Sequence, residues 1–83
     1  TEAGAEVDLI IETPANRVIA VEIKSAVCPT PRHASGLLSF KDLVPEAELV
    51  LCCRGPRPLD FPGGILVLPW NEAIQHIETR VRA

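Results

Sequence analysis

The chain is poor in aromatics, has no excess of basic charge, no long apolar run and no even set of cysteines. Its aromatics, 4% of 83 residues, are Phe40, Phe61 and Trp70, so the core must be aliphatic. Lys and Arg number 8 against 11 Asp and Glu, for a net charge of −3. That balance argues against a basic, salt-driven nucleic-acid clamp, but not against a metal-assisted site, which needs carboxylates. No uncharged run approaches the roughly 20 apolar residues that cross a bilayer, so no membrane partner is expected. The first residues show no basic region followed by an apolar one, so no signal peptide is expected. Three cysteines make an odd set, and Cys52 and Cys53 are neighbours that point to opposite faces of a strand. A disulfide framework is excluded on this reading, and a reducing, cytoplasmic setting follows. Cys28, Cys52, Cys53, His33 and His76 lack zinc-type spacing. Gly63-Gly64 reads as a turn and not as a phosphate loop, since no helix with Lys-Ser/Thr follows.

What is present is 47% hydrophobic, with a mean hydropathy of +0.21. This composition argues against disorder and for one small domain over residues 1–83. Ala5 to Glu12 begins with polar–apolar alternation and reads as a strand; Thr13 to Arg17 carries turn residues. Val18 to Lys24 is a second strand, apolar on both faces through Val21 and polar only at its end, as in a covered central strand. Thr30 and Pro31 can open a helix bearing Leu37, Phe40 and Val44, which Pro45 stops. Glu48 to Cys53 is a third strand, Arg54 to Gly64 a Pro- and Gly-rich loop, and Ile65 to Leu68 a fourth strand. Trp70 to Ala83 is an amphipathic helix, with Trp70, Ala73, Ile74, Ile77 and Val81 as its core stripe and Trp70 as anchor. Arg80 and Arg82 suit its dipole. The helix between strands two and three implies a parallel crossover. The expectation is a mixed α/β sheet of about four strands with two helices.

The chemistry-bearing feature is Asp8 followed by Glu22-Ile23-Lys24. With Thr13 to Arg17 as a five-residue hairpin loop, paired residue numbers add up to 30. Asp8 then faces Glu22 and Glu6 faces Lys24, all on one face of the sheet. Two carboxylates about 5 Å apart repel unless a proton or cation lies between them, and magnesium takes oxygen ligands of this kind. Lys24 on the same face could stabilise charge on a phosphate, completing a metal-assisted hydrolysis site. A loop one residue longer or shorter would put Asp8 and Glu22 on opposite faces. The same residues also fit a solvated face, with Glu6 and Lys24 as an exposed ion pair. His33 can approach from the start of the crossover helix or act as a capping residue. Arg17, Arg32, Lys41, Arg54 and Arg57 are dispersed and read as solvated surface, with phosphate contact as the alternative.

Gly4-Ala5-Glu6-Val7-Asp8, then Val21-Glu22-Ile23-Lys24-Ser25, resembles the PD-(D/E)xK nuclease superfamily. More closely, the chain looks like the C-terminal nuclease-like domain of unknown function of prokaryotic AAA+ ATPases. The similarity runs on through Gly36-Leu37-Leu38 to Ile65-Leu66-Val67-Leu68-Pro69-Trp70. The resemblance implies a restriction-endonuclease-like core, with Asp8 and Glu22 as ligands of Mg (or Mn) and Lys24 as the catalytic lysine. Glu6 matches a family position with no assigned role; with His33, which the crossover helix can bring near, it is an accessory candidate. It also implies DNA and an ATPase domain of the same parent chain as partners. The superfamily core begins with a helix and a strand that would precede Asp8, so the chain is expected to be a truncated piece of a longer protein. Loss of that strand would leave the Asp8 strand as an exposed edge, through which homo-oligomers, dimers among them, are expected. Two functions follow: a magnesium-dependent nuclease module active in the parent protein, with this piece expected to be inactive by itself, or a catalytically inactive nuclease-fold module that serves interaction next to an ATPase.

Overall fold

A computed structural model describes residues 7–83. Among them the chain forms β1 (Leu9–Glu12), β2 (Val18–Ile23), a 3-10 turn (Pro31–Ala34), α1 (Ser35–Leu43), β3 (Glu48–Cys53), β4 (Leu59–Phe61), β5 (Ile65–Pro69) and α2 (Trp70–Arg82). The described strands make one mixed sheet in the order β1-β2-β3-β5-β4. β2 pairs with β3 and β3 with β5 in parallel, while β1 and β4 join the edges antiparallel. The expected mixed α/β sheet with two helices is present, but with five strands instead of about four.

The additional strand is β4, inside the stretch read as a loop. Three residues between Pro58 and Pro62 are too few to show a period. Proline lacks an N–H to donate, and an edge strand tolerates it at its ends. Gly63 and Gly64, at φ 94° and 78°, turn the chain so that Phe61 faces Ile65. The turn was legible; the hairpin it closes was not.

Side chains alternate across the sheet, so each strand serves two cores. Ala20, Leu49, Leu51, Cys53, Ile65 and Val67 face α1, where Leu37 and Phe40 complete the cluster. Ile19, Val21, Val50 and Leu68 face α2, where Ala73 packs on them. β3 lies at the centre and is buried from Leu49 to Leu51. Cys53 and Cys52 fall on opposite faces, as the strand period requires. Burial pushes the Cys52 thiol up, helped by the neighbouring Cys53.

The stripe of α2 needs correction. Trp70 is not a core anchor: it is 59% exposed at the first position of the helix. Ile74 and Val81 are also exposed, leaving Ala73 buried and Ile77 packed alongside. α2 lies over β3 and β5. A helix resting on two strands buries a narrower stripe than its periodicity offers. No helix of the described residues is long and apolar enough to cross a membrane.

Leu37 is wholly buried, whereas Leu43 of the same helix is 68% exposed. For a domain of this size, with total stability of about 4–12 kcal/mol, Leu37→Ala should cost about 2–5 kcal/mol. Leu43→Ala should fall within about 0.5 kcal/mol of wild type. Urea denaturation of the two variants checks this.

Candidate functional site

The hairpin turn sets the site. Thr13 N–H donates to the Arg17 carbonyl at 2.8 Å, Asn16 N–H to the Thr13 carbonyl at 2.9 Å, and Arg17 N–H to Thr13 Oγ1 at 3.2 Å. Asn16 takes φ 61°, a left-handed conformation that asparagine tolerates. The five-residue loop produces the expected register: Leu9 faces Val21, Ile10 Ala20, Ile11 Ile19 and Glu12 Val18.

At Asp8 the chain leaves that register. Asp8 N–H donates to the Val21 carbonyl at 3.1 Å, although Val21 already faces Leu9. Two residues of the first strand thus share one partner, as in a β-bulge. Val7 accordingly packs into the α1-side core, whereas unbroken alternation would turn it to the α2 side with Leu9. The Asp8 carboxylate accepts the Ile23 N–H at 2.7 Å. Asp8 therefore brackets Glu22 through the backbone groups on either side of it, instead of lying in a regular cross-strand pair. At the end of the hairpin its side chain supplies the acceptor that a longer β1 would supply from its backbone.

Glu22 continues the face of Ala20 towards the carboxyl end of β2, and its side chain is 14% exposed. Lys24 Nζ lies 3.2 Å from Glu22 Oε2. A carboxylate this far out of water needs a charged partner, and Lys24 supplies it from two residues along the same face. Lys24 N–H donates to the Cys52 carbonyl at 2.9 Å, extending the parallel ladder by one residue. Glu22 and Lys24 thus meet at the carboxyl end of the parallel strands, where open α/β sheets bind ligands, and the Asp8 carboxylate sits on the next backbone N–H. Among the described residues, each carboxylate has one oxygen engaged, Asp8 Oδ2 by Ile23 and Glu22 Oε2 by Lys24. Magnesium is held by one or two carboxylates and keeps several waters, and Asp8 and Glu22 are the carboxylates that the described residues offer here. Among the described residues, no three His, Cys, Asp or Glu side chains gather as a metal cluster. His33 closes the 3-10 turn: its Nδ1 accepts the Thr30 N–H at 3.0 Å and its own N–H donates to the Thr30 carbonyl at 2.9 Å. Glu6, and with it the expected Glu6–Lys24 pair, lies outside the described residues.

A second charged cluster escaped the sequence reading. Glu48, at the amino end of β3, takes Arg80 Nε on Oε1 at 3.0 Å and Arg80 Nη2 on Oε2 at 3.3 Å, while His76 Nε2 lies 2.7 Å from Oε2. Arg80 therefore ties α2 to the sheet and does more than complement the helix dipole. The available signal was His76 and Arg80 at i, i+4, on one helix face. Burial alone would raise the Glu48 carboxyl, but the hydrogen bonds and charges of Arg80 and His76 outweigh it and hold it below the ordinary range. The cluster lies at the opposite end of the sheet's parallel strands from Lys24 and braces α2.

These features define a small α/β domain with a mixed sheet and a carboxylate–lysine group at the carboxyl end of β2. A family model described as "Domain of unknown function (DUF4143)" matches residues 1–73, and the chain belongs to that family. No curated protein and no solved structure matches it.

A carboxyl held low when folded adds stability above its unfolded pKa and loses it as pH falls through the folded value. Glu48→Gln should therefore cost about 0.5–1 kcal/mol at neutral pH, the modest size reflecting partial exposure. The gap between variant and wild type should close as pH falls below about 4.5, the ordinary value of the group. Thermal unfolding across pH measures it.

Proposed function

We propose that the chain is a metal-dependent phosphodiester-hydrolysis module of restriction-endonuclease-like fold. Asp8 and Glu22 would hold Mg or Mn, and Lys24 would stabilise the phosphate. The observation that supports this reading is the Asp8 carboxylate on the N–H of Ile23, the residue after Glu22, with Lys24 3.2 Å from the Glu22 carboxylate. A bound divalent cation would supply Lewis-acid polarisation of the phosphate and a lowered water pKa. Asp8, anchored on the Ile23 N–H, presents its other oxygen in a fixed direction. Glu22 is held by its ion pair with Lys24. The lysine ammonium neutralises the carboxylate in the resting site and is within reach of a phosphate oxygen.

On this reading the polymer is DNA, and the module works next to an ATPase domain in a longer parent chain. Three free thiols suit a reducing, cytoplasmic setting. Self-association belongs to the same proposal. β1 is an edge among the described residues, and its Leu9 and Ile10 are about half exposed, so a second copy can add to it. A second reading is an inactive interaction module. It is favoured by the engagement of both carboxylates within the chain and by the lack of a third metal-ligating side chain among the described residues.

Mn²⁺ at about ten times its dissociation constant should add about 1.4 kcal/mol and raise Tm by roughly 5–10 °C. Asp8→Asn, which can still accept the Ile23 N–H, should keep the basal Tm and lose the rise; a variant that keeps the rise removes Asp8 from the site. In a plasmid-nicking assay on the longer parent protein, Lys24→Ala should lose about 10²-fold or more. Equal nicking by both proteins would exclude a role for Lys24, and no nicking by either supports the interaction module. Sedimentation velocity should show a concentration-dependent dimer; a monomer at high concentration removes the edge pairing.

A further inference from the structure

A groove of about 250 Å³ opens between the loops that follow β2 and β3. Val27, Pro29, Pro56 and Leu59 form its walls, the buried Cys53 lies at its base, and Arg57 brings a cation to it. The ladder from Ile23 and Cys52, extended one residue by the Lys24 N–H bond, sets Lys24 beside Cys53 on the α1 side of the sheet. Lys24 is therefore the strand neighbour of Cys53, at the base of the groove, without lining the groove itself.

It is also preformed. Arg54 N–H donates to the Ala26 carbonyl at 3.0 Å, fastening the loop after β3 to the loop after β2. Gly55 N–H donates to Cys53 Sγ at 3.3 Å. A Cβ on Gly55 would lie 2.8 Å from the Val27 carbonyl oxygen, so the two loops approach as closely as only glycine permits. A rigid apolar cleft with a few placed polar groups is the usual form of a small-ligand site. Its volume lies below the range of about 300–1,000 Å³ typical of drug-sized ligands, which suits one ring system.

We propose that this groove seats a nucleobase, next to the phosphate handled by Asp8, Glu22 and Lys24; the proposal rests on that reading of the site. Apolar faces and the Arg57 guanidinium stack on a base, while Arg57 and Lys24 complement the phosphate that any nucleotide carries. The walls offer little that could read a base edge, so binding should tolerate any base and favour an unpaired strand, whose bases are free to leave the stack. A molecule with net charge −3 would then hold a nucleic acid by stacking and local charge instead of a broad basic surface.

The exposed Cys28 lines the same groove and reports on it. Alkylation of Cys28 by iodoacetamide, followed by peptide mapping, should slow severalfold in thymidine 5′-monophosphate. It should slow less in thymidine and not at all in inorganic phosphate. Leu59→Asp, on the exposed edge strand β4, should abolish the protection with far-ultraviolet circular dichroism unchanged. No protection by the nucleotide, or equal protection by phosphate alone, overturns the proposal, the latter result assigning only an anion site. The Mn²⁺-induced rise in Tm, read on the same wild-type protein, separates the two readings. A rise without nucleotide protection removes the groove and leaves the metal site, and protection without a rise removes the metal site and leaves a nucleotide groove.

Discussion

The five-residue turn from Thr13 to Arg17 is the constraint on which the rest depends. Strand side chains alternate with a period of two, so the loop length decides which residues of β1 and β2 share a face. The Thr13–Arg17 bonds and the left-handed Asn16 hold that length. They put Ile11 with Ile19 on the α2 side and leave Ala20 and Glu22 towards α1. A slip of one residue would move Ile11 from the α2 side of the sheet to the α1 side. The apolar cores therefore enforce the register that the polar group at the strand end needs.

From this register the division of labour along the parallel strands follows. Their amino end carries the Glu48–His76–Arg80 cluster, which braces α2 against β3. Their carboxyl end carries Asp8, Glu22 and Lys24 and, one strand further, the groove around Cys53. Bracing and candidate chemistry sit apart, so loop changes around Gly55 can alter the groove without loosening the helix. The bulge at Asp8 belongs to the same economy. It puts a side-chain carboxylate on the Ile23 N–H, next in the chain to Glu22.

Four of the five strands and both helices were legible because their apolar periods run over four residues or more. Hairpin register was legible from one loop length. β4 was not, since three residues flanked by prolines carry no period. Trp70 shows the limit of a helical stripe. The sequence defines an apolar face on α2, but how much of it meets the sheet depends on how many strands lie beneath. Asp8 shows the limit of extrapolating a register, because a bulge at the last residue re-aims a side chain without leaving a mark in the sequence.

The sequence by itself determined an aliphatic α/β domain, the parallel crossover between β2 and β3, the facing of β1 and β2, and the concentration of Asp8, Glu22 and Lys24 near the strand ends. These are local consequences of spacing, turn chemistry and burial. The tertiary structure alone decided that Asp8 bonds to the Ile23 N–H, that Glu48 meets Arg80 across 32 positions, and that the loops after β2 and β3 close on a groove over Cys53. Each joins groups distant in sequence or depends on how a strand ends. Such contacts are set by the packing of whole elements, which no window of residues contains.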